Sequence, residues 1–241
     1  MKLETHCHSL GGSHCADGNL DELVLRYKEK EYDGVVITNH ISDYVYFDYH
    51  KGETHREKVR YYFSLYEGVK ERLKKVGIKC FYGAEVRVLP LAGKPYGDEF
   101  MVYGITEKLM ADSKPLFDFT QKELFEFADK NGLFMYQTHP FRDGVTVGDP
   151  RYLHGADAFN GHYHHFSHND LAEEFCEKNG LVKMSGTDYH HDGQPITAGV
   201  ILNRDIDTEE QLVETMLSGD FSLVKDEKTY LDELYKCKGL K

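Results

Sequence analysis

The 241-residue sequence predicts an α/β protein built as a closed barrel of mostly parallel strands. Three observations predict it. Short apolar β-type runs alternate with amphipathic helical stretches along the whole chain. About seven or eight such runs follow one another with no linker, repeat or low-complexity segment between them, so residues 1–241 read as one domain and closure is favoured over an open sheet. Finally, a histidine or carboxylate stands near the end of five different runs, as expected where strand ends form a common rim. An open doubly wound sheet is the alternative, but no Gly-x-Gly-x-x-Gly fingerprint follows the first strand.

Residues 2–5 are the first strand, and His6, Cys7 and His8 follow it. Positions i and i+2 of an extended chain share a side, so His6 and His8 project together and Cys7 points away. Two imidazoles converging from one strand end suit a divalent metal, because neutral imidazole is its commonest protein ligand. Gly11-Gly12 permits a sharp turn that can return His14 to the same place. Leu20, Leu23, Val24 and Tyr27 recur at helical spacing behind Asn19, a natural N-cap, which predicts a helix to about residue 31. Residues 35–38 are a buried strand, followed at once by Asn39-His40. A polar and aromatic loop spans residues 41–53; Tyr44, Tyr46, Phe47 and Tyr49 in it suit either a substrate wall or burial against a neighbour. A helix over about 56–76 stops at Gly77.

Residues 79–84 are the next strand and end in Glu85. Pro90, Gly93, Pro95 and Gly97 make residues 88–98 a loop, and residues 99–103 a strand closed by Gly104. An amphipathic helix over 120–130 leads through Asn131-Gly132 to a strand at 133–137, then to His139-Pro140. A strand at 156–160, a helix at about 168–179 and a strand at 181–185 bring the chain to Asp188-Tyr189-His190. A strand at 199–203, a helix at 208–217, a strand at 221–224 and a helical tail complete the pattern.

Hydrophobic residues make up 40% and aromatics 13%, enough for a substantial core. No apolar run approaches the ~18 residues of a membrane span, and the first residues lack the apolar stretch of a signal peptide. The expectation is a cytoplasmic protein with no membrane partner, its five scattered cysteines reduced. A net charge of −12 disfavours long nucleic acid as a partner. An anionic substrate would need a local positive centre, which bound divalent ions supply.

Five segments in order, Thr5-His6-Cys7-His8, Ile37-Thr38-Asn39-His40, Gly83-Ala84-Glu85-Val86, Thr138-His139-Pro140 and Gly186-Thr187-Asp188-Tyr189-His190, span residues 5 to 190. Together the set resembles the motifs of the polymerase-and-histidinol-phosphatase (PHP) superfamily. The resemblance implies a distorted (β/α)7, TIM-like barrel whose C-terminal rim holds two or three divalent ions (Mn, Fe or Zn). In that family metal-bound hydroxide hydrolyses phosphate esters. The resemblance assigns His6, His8, Glu85 and Asp188 to one metal, with Glu85 bridging to a second that also takes His139. It assigns His14, His40 and His190 to a third. His14 matches the histidinol-phosphatase branch; Asp17 is the alternative where other branches carry an aspartate, and Cys15 a remoter one.

There is one departure from the family. Its further histidine between the glutamate and the His-Pro motif is missing here, since no histidine lies between residues 86 and 138, and the position is expected near Met101 to Thr106. His162, His164, His165 and His168 offer a substitute ligand or a substrate contact, or simply a polar entry to a helix. Arg142 is the first candidate to bind phosphate and Arg87 the second, with His164 as a further contact. Asp188 and His190 join Arg142 as catalytic candidates, and His190 or another histidine would protonate the leaving oxygen. The leading reading is a metal-dependent phosphomonoesterase of a small phosphorylated metabolite, with histidinol phosphate one candidate. The alternatives are a phosphodiesterase or exonuclease on short nucleotides, and a non-catalytic metal-binding module.

Overall fold

The frame of the molecule is a sheet that winds almost into a closed barrel, and the computed structural model describes residues 1–90 and 97–240 of it. In chain order the elements are β1 (Lys2–Cys7), α1 (Leu20–Glu29), β2 (Gly34–Ile37), β3 (His40–Ile41), α2 (Asp43–Asp48), α3 (His55–Lys75), β4 (Lys79–Arg87) and β5 (Glu99–Tyr103). There follow α4 (Glu107–Asp112), α5 (Gln121–Lys130), β6 (Phe134–Gln137), β7 (Gly155–Asn160), α6 (Asn169–Asn179), β8 (Val182–Gly186), β9 (Ala198–Leu202), α7 (Glu209–Ser218), β10 (Phe221–Lys225) and α8 (Glu227–Lys238). Hydrogen bonds link the strands in the order β10-β9-β1-β2-β4-β5-β6-β7-β8, with β3 beside β4. The residue 88–98 loop is described only at its ends; residues 91–96 lie outside the described residues.

The last strand of the path, β8, closes back on β1. Thr5 Oγ1 donates to the Ser185 carbonyl at 2.6 Å, and the Tyr189 carbonyl accepts from His8 N at 2.9 Å, so β8 and its exit run along β1. The approach requires Gly186, where a Cβ would sit 2.4 Å from the Cβ of His6. Buried Glu4 ties the same seam by accepting from the backbone N–H groups of Thr5, His6 and Thr187, each at 2.9 Å.

Most strands run parallel, as alternation with helices predicts, but β5 is antiparallel to both β4 and β6, and β9 to both β1 and β10. A plain succession of seven βα units therefore does not describe this barrel. The residue 41–53 loop also holds more structure than its composition predicts. His40–Ile41 extends alongside Glu85–Val86, and Ser42 caps α2 by accepting from Val45 N.

Strand periodicity separates two packing zones. Leu3, Val36, Phe81, Met101, Tyr103, Phe134, Tyr136 and Met184 fill the barrel and meet α7 through Leu212, Val213 and Met216. Val35, Ile37, Tyr82, Val86, Phe100, Val102 and Met135 face outward into the core shared with the helices. α3 presents Val59, Tyr62, Tyr66, Val69 and Leu73 to that core, a three-and-four spacing on one helix face. A capping box at Thr54 and Glu57 starts it. Each such side chain, fully buried, stabilises the fold by ~1.5–3 kcal/mol. The barrel filling is the floor on which the polar rim residues stand. Among the described residues no helix is long and apolar enough to cross a membrane.

Candidate metal centre

Glu85, 1% exposed on β4, is the hub of the rim. His6 and His139 place Nε2 at 3.4 and 3.2 Å from its Oε1. His8 Nε2 and His40 Nδ1 lie 3.3 and 3.0 Å from its Oε2. The arrangement follows from local structure. β1 alternation sends His6 and His8 to one side, β3 pairs His40 with Glu85 in register, and β6 ends two residues before His139. Asp188 adds Oδ1 at 3.4 Å from both His6 and His8 and 3.3 Å from His190 Nδ1.

Backbone geometry is unusual where these side chains depart. His139 and Asp188 have φ of +33° and +54°, in the left-handed region that non-glycine residues rarely occupy. Strain of this kind persists where the surroundings over-determine it. Here Asp157 Oδ2 accepts from His139 N at 2.9 Å, and the Asp188 carbonyl accepts from the rings of His162 at 2.9 Å and His190 at 3.0 Å.

The donor atoms have the spacing of a coordination shell. Ligand–ligand edges of ~3.0–3.4 Å follow from metal–ligand bonds near 2.1 Å, and the contacts around Glu85 and Asp188 run from 3.0 to 3.4 Å. His6 Nε2 and His8 Nε2 face each other at 3.0 Å, an arrangement that a shared cation stabilises. Both Glu85 oxygens, Asp157 Oδ1 and His139 Nδ1 are buried without a hydrogen-bond partner among the described residues. Among the described residues, four sets of ligand atoms within 4.8 Å overlap here: His6, His8 and Asp188; His8, His40 and His190; His162, Asp188 and His190; and His40, Glu85 and Glu99. The residues fit a divalent-metal site.

The electrostatics agree. Burial works against a charge on His6, but Asp188 and Glu85 outweigh it and push the imidazole up to about 10. His40 is likewise raised, burial being overcome chiefly by Glu85. Glu85 and Asp188 are held well below the usual carboxylate range despite burial, by His6 together with His40 in one case and Arg142 in the other. The carboxylates thus draw positive charge to the rim, and a divalent cation satisfies the same demand with the imidazoles neutral.

Of the residues predicted from sequence, His6, His8, His40, Glu85, His139, Asp188 and His190 meet at this rim. His8 stands between His40 and His190, with ring centroids at 4.4 and 4.2 Å, and belongs to one convergent set with His6 and Asp188 and to another with His40 and His190. His14 is exposed, its ring 6.0 Å from that of His40 and edge-on to Tyr44 at 5.1 Å, and it is in none of the convergent sets among the described residues. Asp17 lies outside the cluster, accepting from His191 at 2.7 Å. Arg142 points inward, Nη2 donating to Asp188 at 2.5 Å and Asn160 at 3.2 Å, while its buried Nε has no partner among the described residues. Arg87 is engaged instead by Glu99, at 2.7 and 3.2 Å. His164 and Cys15 are half-buried in the wall of the same cavity, of about 300 Å³.

Three residues of the site are not singled out by sequence: Glu99, Asp157 and Asn160. Asp157 and Asn160 stand inside β7 rather than beyond its end. Glu99 opens β5, and the direction of that strand explains the omission. Because β5 runs antiparallel, its start is at the rim and Met101 to Tyr103 descend into the core, away from the place where a ligand was expected. Glu99 presents one oxygen 3.6 Å from His40 and the other 3.6 Å from His139.

No family model matches the chain, and no curated protein matches it in sequence. Solved structures do match. PsfC from Pseudomonas syringae PB-5123 superposes with a TM-score of 0.68 at 17% identity, covering 100% of this chain and 98% of its own. A two-domain protein from Bacteroides vulgatus ATCC 8482, containing a predicted PHP-like metal-dependent phosphoesterase, gives 0.62 at 18%, over 98% of this chain and 69% of its own. An amidohydrolase from Chromobacterium violaceum, with bound SO4 and no metal, gives 0.55 at 13%, over 95% and 100%. The chain therefore shares the barrel fold of these proteins.

Proposed function

We propose that this protein is a divalent-metal-dependent phosphoesterase of the PHP type acting on a small phosphorylated compound. The observation that carries the reading is the convergence of four imidazole nitrogens and Asp188 on and around the buried Glu85 carboxylate. The motif order supports it, as does the shared barrel fold. A neighbour of that fold holds sulfate, a tetrahedral oxyanion like phosphate.

Bound divalent ions would be held by His6, His8, Glu85, His139, Asp188 and the His40/His190 pair, and would supply an activated water and charge neutralisation at phosphorus. The chain's own groups do the rest. Arg142 lines the cavity with Nη2 held by Asp188 and Asn160, which places its guanidinium as a charged donor for a phosphoryl oxygen. The Asp188 carbonyl accepts from Nδ1 of both His162 and His190, so each neutral ring carries its proton there and turns Nε2 outward as an acceptor. Burial holds both rings below the ordinary imidazole value, His162 down to about 3. Neutral rings with Nε2 unprotonated suit metal ligation, the first role expected of His190.

A cavity of about 300 Å³ accommodates a phosphoryl group with a small organic body. A second groove of about 650 Å³, walled by Tyr44, Phe47, Leu89 and Phe117, meets it at Arg87 and offers room for an apolar leaving group. Histidinol phosphate remains one candidate substrate. A panel of phosphomonoesters and diesters assayed with Mn(II), Fe(II) and Zn(II) tests the reading. Turnover of monoesters is expected to exceed that of diesters, and no hydrolysis of any ester with any of these ions would refute it.

A further inference from the structure

We propose that Glu99 is a metal ligand, completing with Glu85, His139 and His40 a second cation position, and that Arg87 is the residue that positions it. The proposal rests on the metal-dependent reading of the site and adds to it a ligand outside the recognised motifs.

In the antiparallel pair of β4 and β5, Arg87 stands opposite Glu99 and Glu85 opposite Met101. Alternation puts Glu85, Arg87 and Glu99 on one face at the rim. Both Arg87 contacts fall on one oxygen, Oε1 of Glu99, through Nε at 3.2 Å and Nη2 at 2.7 Å. The guanidinium anchors that oxygen, and the other, Oε2, faces His139 Nε2 at 3.6 Å. On the opposite side, Oε1 lies 3.6 Å from His40 Nδ1. Ligand atoms of Glu99, Glu85 and His40 all fall within 4.8 Å of one another.

Two carboxylates this close in a buried site repel unless positive charge lies between them. Arg87 supplies one charge, but only on the Glu99 side; neither oxygen of Glu85 has a hydrogen-bond partner among the described residues. A divalent ion among Glu85, Glu99, His139 and His40 answers both needs. With two carboxylates and imidazole the donor set is harder than an all-histidine one, and favours Mn(II) or Fe(II) over softer-ligand chemistry.

The test is calorimetric titration of Mn(II) and Zn(II) into chelator-stripped wild type, E99Q, E99H and R87M, with circular dichroism to verify the fold. Wild type is expected to show two classes of Mn(II) site. E99Q should retain one class and lose at least ~100-fold in affinity at the other, since even outer partners of ligands change affinity ~10–100-fold. R87M should weaken the same class by ~10-fold, and E99H should restore it with preference moved toward Zn(II). Unchanged Mn(II) stoichiometry and affinity in E99Q would overturn the assignment of Glu99 and leave the metal-dependent reading standing. Wild type that binds no ion would overturn both.

Discussion

Arg142 gives the proposed chemistry its most discriminating mutation. Its side chain is 14% exposed, with Nη2 anchored by Asp188 at 2.5 Å and Asn160 at 3.2 Å, and Nε buried without a partner among the described residues. If the guanidinium meets a phosphoryl oxygen, R142A removes a charge-assisted hydrogen bond of ~1.5–3 kcal/mol. At 1.36 kcal/mol per decade, kcat/KM should fall ~10–150-fold. R142K keeps a charge for Asp188 but loses the planar fork, and should fall ~10-fold. The assay is kcat/KM together with the inhibition constant of inorganic phosphate, which should weaken by a comparable factor. Asp188 keeps His6, His8, His190 and the Asn160 amide nearby, so the fold should survive the change. A phosphate inhibition constant within twofold of wild type would refute the reasoning: Arg142 would then serve only to pair Asp188.

Three further outcomes are expected. H139A, which removes a nitrogen 3.2 Å from Glu85, should lower hydrolysis at least ~100-fold while the far-ultraviolet spectrum stays unchanged, and an active H139A would exclude His139 from the site. G186A sets a methyl 2.4 Å from His6 Cβ and 2.9 Å from Thr5 Oγ1, so β8 must move off β1. Overpacking of ~1–3 kcal/mol predicts a Tm lowered by roughly 3–10 °C, read by calorimetry. Glu209, at the start of α7, is pushed by burial from its ordinary 4.5 up to about 7. The folded chain therefore keeps a proton that the unfolded chain has released, and stability falls as pH rises from about 4.5 to about 7. E209Q retains the acceptor for Tyr82 N and should remove up to ~3 kcal/mol of that dependence; urea melts at pH 5 and pH 8 that keep the wild-type difference would contradict it.

Much of the barrel is legible in the sequence because its cues are local. The strand at residues 99–103 coincides with β5, and Asn19 caps α1 by accepting from Asp21 N, as its side chain and position predict. Strand direction is not local. Nothing within residues 99–103 shows that this strand runs against its neighbours, and that reversal places Glu99, rather than a residue beyond Tyr103, at the rim. The histidines near the ends of parallel strands are legible for the converse reason: a common direction makes those ends one surface. Asp157 and Asn160 are not legible because they lie within β7, where a polar side chain looks like an ordinary strand residue; the structure shows His139 N bonded to the one and Arg142 to the other. The six-residue helix α2 owes its start to the Ser42 cap and its seat to Val45 and Tyr46, burial that the aromatic clustering alone does not separate from a substrate wall.

The central claim is that the rim holds divalent cations which the reaction needs. Metal analysis of the purified chain by mass spectrometry, paired with phosphomonoester hydrolysis before chelation, after it and on adding ions back, tests it most directly. At least about two ions of Mn, Fe or Zn per chain are expected, with activity lost and regained with them. A metal-free protein that gains no activity when these ions are supplied would contradict it.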